Sequence, residues 1–148
     1  MSLQQQVMEQ MKVAMKSKDT VALQALRALK SAFLLAKTEA GAGELTAAQE
    51  MKIIQKQVKQ RKDSAAIYVA QGRQDLADSE LVEAAILAQF LPEALSEEAI
   101  EKVVMETITK IGAEGMKDMG KVMGIVSKQL AGRADGKTIS GIVRKKLN

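Results

Sequence analysis

The 148-residue chain has no cysteine and no histidine. That excludes disulfides, thiol nucleophiles, zinc sites of the Cys/His type and the commonest general base. Aromatic residues are reduced to Phe33, Tyr68 and Phe90, with no tryptophan, so stacking on bases cannot be a main mode of contact. No apolar run approaches the roughly 20 residues of a membrane span. The opening MSLQQQVMEQMKVAM lacks the basic start and apolar core of a signal peptide, so the cytoplasm is the expected compartment and no membrane partner is expected. No GxSxG elbow, GxGxxG loop or calcium-loop spacing occurs. With no nucleophile paired to a base and no metal set, neither catalytic residues nor a cofactor are expected.

What is present favours helices. Hydrophobic residues make up 47% and charged residues 27% of the chain, an ordinary globular balance. Nine methionines join many leucines and alanines, and β-branched residues never alternate with polar ones over the length of a strand. The expected class is all-α.

Leu3, Val7, Met8, Met11 and Met15 outline a first amphipathic helix. Asp19 is placed to cap a second, in which Leu23, Leu26, Leu29, Phe33 and Ala36 recur at helical spacing. Gly41 to Gly43 break that pattern, and Thr46 with Gln49 forms a capping box for a third helix carrying Met51, Ile54, Val58, Ala65 and Tyr68 inward. Gly72 ends it. A fourth helix, Leu76 to Leu91, is expected to be capped by Asp75 and to turn Val82, Ile86, Leu87, Phe90 and Leu91 inward. Pro92 stops it, because the residue before a proline disfavours helical geometry. The expected organisation is an N-terminal helical domain of about four helices, residues 1–91, and a C-terminal three-helix domain, residues 92–148. Fewer than about 60 residues make a marginal core, so the smaller part is expected to lean on the larger or on a partner.

In the second part, Ser96 followed by Glu97 and Glu98 is a helix start, and Ile100, Val103, Val104, Ile108 and Ile111 supply an apolar face that Gly112 ends. The stretch Gly112 to Lys137, GAEGMKDMGKVMGIVSKQLAGRADGK, holds six of the ten glycines. From Asp118 to Ala131 the residues Met119, Val122, Met123, Val126 and Leu130 share one helix face, with Lys117, Lys121 and Lys128 opposite. Gly132 is placed for a left-handed cap and Asp135 for an N-cap, before a last helix marked by Ile139, Ile142, Val143 and Leu147. GRADGKT is not a P-loop: that motif separates its glycines by four residues and follows a strand.

Charge is polarised along this part. Residues 92–115 carry two lysines against six glutamates, and residues 116–148 carry eight basic residues against two acids. Such a patch is either the electrostatic footprint of a polyanion site or a well-solvated surface that keeps the protein soluble. Gly120 and Gly124 open a bare strip suited to close approach by another helix or by a phosphate backbone. Met116, Met119 and Met123 suit a core or an adaptable partner groove. A second basic row, Lys52, Lys56, Lys59 and Lys62 with Arg61 beside it, has no acid before Asp63. It is either a binding face or a solvated face balanced by acids on a neighbouring helix. The pairs Glu80 with Glu83, and Glu97 or Glu98 with Glu101, share helix faces but converge with no third group.

The run DMGKVMG, Asp118 to Gly124, followed by GRADGK, Gly132 to Lys137, resembles the C-terminal signature of the GatB/YqeY family. KQRKDSAAIYVAQGRQDLADSE, Lys59 to Glu80, and ILAQFLPEALSEEAIE, Ile86 to Glu101, are similar to the N-terminal pattern of its stand-alone YqeY members, with Phe90 where tyrosine is usual. The resemblance implies an all-helical protein whose last three helices are similar to the tail of the GatB subunit of glutamine-dependent tRNA amidotransferase, a tail that helps hold tRNA. The family label, carbon-nitrogen ligase activity with glutamine as amido-N-donor, belongs to an assembly whose kinase-like and amidase parts have no counterpart in this sequence. The function expected is therefore a tRNA- or RNA-binding accessory module in translation. Its partner would be tRNA or another folded RNA, and an amidotransferase or synthetase component is a further candidate. The expected contacts are Lys117, Gly120, Lys121, Lys128, Gly132, Arg133 and Lys137, with the row at Lys52, Lys56, Lys59 and Lys62 as a secondary face. A helical adaptor that docks on an acidic protein, without nucleic acid, is the alternative.

Overall fold

A computed structural model describes residues 1–39 and 43–148, which form seven α-helices and no strand. The chain divides into two compact units, Met1–Leu91 and Pro92–Asn148.

The first unit contains α1 (Leu3–Lys16), α2 (Thr20–Glu39), α3 (Ala47–Ala70) and α4 (Gln74–Ala88). Ser2 closes a capping box with Gln5 at the head of α1, and Thr46 closes one with Gln49 at the head of α3. Asp19 caps α2 by accepting from the amide of Ala22 at 3.1 Å. The expected break at Gly41 and Ala42 lies outside the described residues. Gly72, at φ 73°, turns the chain out of α3 so that α3 and α4 pack as a helical hairpin. The core of this unit is built on Val7, Leu26, Leu29, Phe33, Ile54, Val58, Leu87 and Phe90, all buried.

The structure corrects three expectations here. Asp75 does not cap α4. Its carboxylate instead takes two hydrogen bonds from the Arg73 guanidinium, at 3.2 and 3.1 Å, and the helix opens two residues earlier than expected, at Gln74, with no side-chain cap. These hydrogen bonds hold the Asp75 carboxyl below its ordinary range. Val82 is 51% exposed, because the buried face of α4 is made by Ala77, Ala84 and Leu87. Met8 and Met15 likewise point away from the core.

The second unit contains α5 (Glu97–Ile111), a single 3-10 turn at Met116–Asp118, α6 (Met119–Gln129) and α7 (Gly136–Leu147). Ser96 caps α5 and Asp135 caps α7, and Gly112 ends α5 at φ 67°. The helix expected from Asp118 is thus preceded by the 3-10 turn. The amide of Glu114 donates to the Asp118 carboxylate at 3.0 Å, so Asp118 closes the loop it follows. Ile100, Val104, Val122, Val126, Leu130, Ile139, Val143 and Leu147 bury one another, with Met119 and Met123 packed against them. Those two methionines therefore serve the core, while Met116 is exposed.

Candidate nucleic-acid interface

Burying Val122, Val126 and Leu130 turns the opposite face of α6 outward, and Gly120, Lys121, Gly124, Ile125 and Lys128 are exposed there. A Cβ built at Gly120 or Gly124 meets no atom within 4 Å, so packing within the fold does not require either glycine. With Ile111 at the end of α5, these residues line an open hollow of roughly 460 Å³. Two isoleucines, two glycines and two lysines make up this lining. The helical spacing of α5 assigns Ile111 to the core, and the structure corrects this. It is the last residue before the left-handed turn at Gly112, and it is 37% exposed.

The remaining candidate residues occupy different settings. Lys117, in the 3-10 turn, stands 3.8 Å from the Glu114 carboxylate with both side chains well exposed, a pairing that water screens heavily. Arg133 is exposed on the α6–α7 turn. Its Nε donates to the carbonyl of Glu93 at 3.4 Å, and its own carbonyl accepts from Leu95 N at 2.9 Å. Lys137 is exposed in the first turn of α7. Gly132 departs from the expectation of backbone approach: it is buried at φ 81°, and its part is to turn the chain. Among the described residues, Lys121, Lys128, Arg133 and Lys137 make no salt bridge, whereas Lys146 pairs with Glu101 at 3.1 Å.

On α3, Lys52, Lys56, Lys59 and Lys62 are all exposed. Arg61 turns inward instead. Its Nη1 donates to the Gln57 carbonyl and side-chain oxygens at 3.1 and 2.7 Å, and its Nε faces the Glu83 carboxylate at 3.8 Å. Burial pushes the Glu83 carboxyl above its ordinary range, against the pull of Arg61 and with the help of Glu80. Among the described residues no three His, Cys, Asp or Glu side chains are grouped to hold a metal ion, and no helix is long and apolar enough to cross a membrane.

The order of these elements and the motif residues on them can be set against known proteins. The sequence profile of the Yqey-like protein family matches residues 4–147. The chain belongs to this family. The Yqey-like chain is also similar to a glutamyl-tRNA(Gln) amidotransferase subunit from Thermococcus gammatolerans, with 46% identity over 58 residues that make up 39% of this chain and 9% of that protein. The corresponding protein of Thermococcus sibiricus is 42% identical over 58 residues, covering 39% of this chain and 9% of that protein. That of Methanococcus maripaludis is 41% identical over 51 residues, covering 34% of this chain and 8% of that protein. The Yqey-like chain thus corresponds to under a tenth of the length of these relatives.

Proposed function

We propose that this Yqey-like chain is an accessory RNA-binding module, with tRNA as its RNA, acting beside an amidotransferase or synthetase component in the cytoplasm. The observation that carries the reading is the outer face of α6, where unpaired Lys121 and Lys128 flank main chain left bare at Gly120 and Gly124. Arg133 and Lys137 add cations that no acid among the described residues neutralises. Similarity to proteins named for glutamyl-tRNA(Gln) supports tRNA as the RNA in question.

Phosphate contact is the mode these residues favour. Lysine and arginine supply charge and donors to backbone phosphates, and the lack of exposed aromatic side chains leaves little for stacking. Recognition then rests on the shape and charge of a folded RNA. The carbon-nitrogen ligase label of the family is carried, in this reading, by the partner that performs the chemistry.

The test is a titration of fluorescent bulk tRNA with the full chain over a range of salt. Neutralising about four phosphates at this surface contributes about −3 to −4 to the slope of log affinity against log salt. Lys121→Glu with Lys128→Glu should weaken binding by at least about tenfold and flatten the slope by about 1.5 to 2. A flat salt dependence, or binding that survives both charge reversals, removes the proposal. If protein partners from a lysate persist after nuclease treatment and tRNA does not bind, the adaptor reading replaces it.

A further inference from the structure

The basic row on α3 is the strongest charged feature that the α6 surface leaves unused. At 3.6 residues per turn Lys52, Lys56, Lys59 and Lys62 fall within about 120° of one another around the helix axis and extend about 15 Å along it. All four are exposed, because Ile54, Val58 and Ala65 take the other side of α3 into the core.

Among the described residues, one acid pairs with the row, and only at its Lys59. Lys59 meets Asp63 at 3.0 Å on its own helix, in a pair more than 60% exposed on both sides and so well screened. Lys52, Lys56 and Lys62 make no salt bridge among the described residues. On α4, Glu83 faces Arg61 rather than the lysines. The fold therefore uses the single arginine of this run and leaves its four lysines outward, although like charges three and four residues apart weaken a helix.

We propose that this face of α3 is a second phosphate-contact surface, which takes the backbone of an RNA duplex or stem along the helix. Duplex DNA carries about one charge per 1.7 Å of axis, or about nine over 15 Å on all sides, so a nucleic-acid duplex of such charge density offers four lysines enough phosphates to match. The proposal rests on the RNA-binding reading for the identity of the polyanion, but on a different unit of the chain for its contacts.

The experiment uses the full chain, bulk tRNA and the triple variant Lys52→Gln, Lys56→Gln, Lys62→Gln, with the fold checked by circular dichroism and melting. These side chains are exposed, so the melting temperature should hold or rise as like-charge repulsion is relieved. Losing three phosphate contacts should reduce the salt slope by about 2 to 3 and weaken binding at low salt by more than about tenfold. A slope and affinity equal to wild type overturn the proposal. If only the α6 variant Lys121→Glu with Lys128→Glu loses binding, the α3 surface is wrong and the α6 reading stands. If only the α3 variant loses binding, the reverse holds. Absence of any tRNA binding by the wild type removes both.

Discussion

Arg61 Nε stands 3.8 Å from Glu83 Oε2, joining α3 to α4 through two side chains that are only 13% and 14% exposed. The distance is too long for a hydrogen bond, and Arg61 Nε is buried with no hydrogen-bond partner among the described residues. The pair thus holds charges that are only partly desolvated and only partly matched.

A pH dependence follows from this pair. Burial raises the Glu83 carboxyl above its ordinary value, so the folded chain binds that proton more tightly than the unfolded chain does. Its contribution to stability is complete below the ordinary carboxylate range and is lost as pH rises through the raised value. Urea melts of wild type and Glu83→Gln between about pH 4 and 7 should show wild type losing ground to the variant as pH increases. A constant difference between the two across that range would contradict the shift.

Glycines of one chain should respond in opposite ways to the same substitution. Gly124 lies inside α6 with open space where a Cβ would stand, so Gly124→Ala should stabilise the protein by about 0.5–1 kcal/mol while reducing the hollow beside Lys121 and Lys128. Gly112 ends α5 at φ 67°, a conformation a side chain resists, and Gly112→Ala should cost about 1–2 kcal/mol. Thermal melts of the two variants check the signs. On the RNA reading, Gly124→Ala should also weaken tRNA binding despite its gain in stability.

Caps provide a third comparison. Thr46→Ala removes a hydroxyl that accepts from Gln49 N at 3.2 Å at the head of α3, and should cost about 1 kcal/mol in chemical denaturation. Asp75→Ala removes an exposed side chain whose main partner is the likewise exposed Arg73, a pair that water screens, and should move the denaturation midpoint far less. Equal losses in both variants would mean that Asp75 supports α4 in a way its contacts do not explain.

The parts of the fold legible in the sequence were those governed within one helix. Thr46 with Gln49, Ser96, Gly112 and Asp135 act on amides or turns a few residues away, so their spacing is sufficient to place them. The burial of Val122, Val126 and Leu130 against exposed Lys121 and Lys128 follows equally from the helical period. Competing partners and small side chains defeated the same reasoning elsewhere. Arg73 takes the carboxylate of Asp75, and Ala77 and Ala84 rather than the larger Val82 lie on the inward face of α4. The hollow was beyond reach from periodicity alone, because Ile111 comes to it from α5 while the glycines and lysines come from α6. Only the placement of Ile111 next to Gly112, where the helix has to end, hinted that it leaves the core.

Arg133 differs from the lysines around it in being anchored beforehand. Its Nε is tied to the Glu93 carbonyl, and its own carbonyl is tied to Leu95 N. A free lysine surrenders up to about 2 kcal/mol of rotational freedom when an anion immobilises it. Arg133 has already given up part of that freedom in folding, so on the RNA reading a phosphate would find it partly oriented and lose less affinity to ordering it.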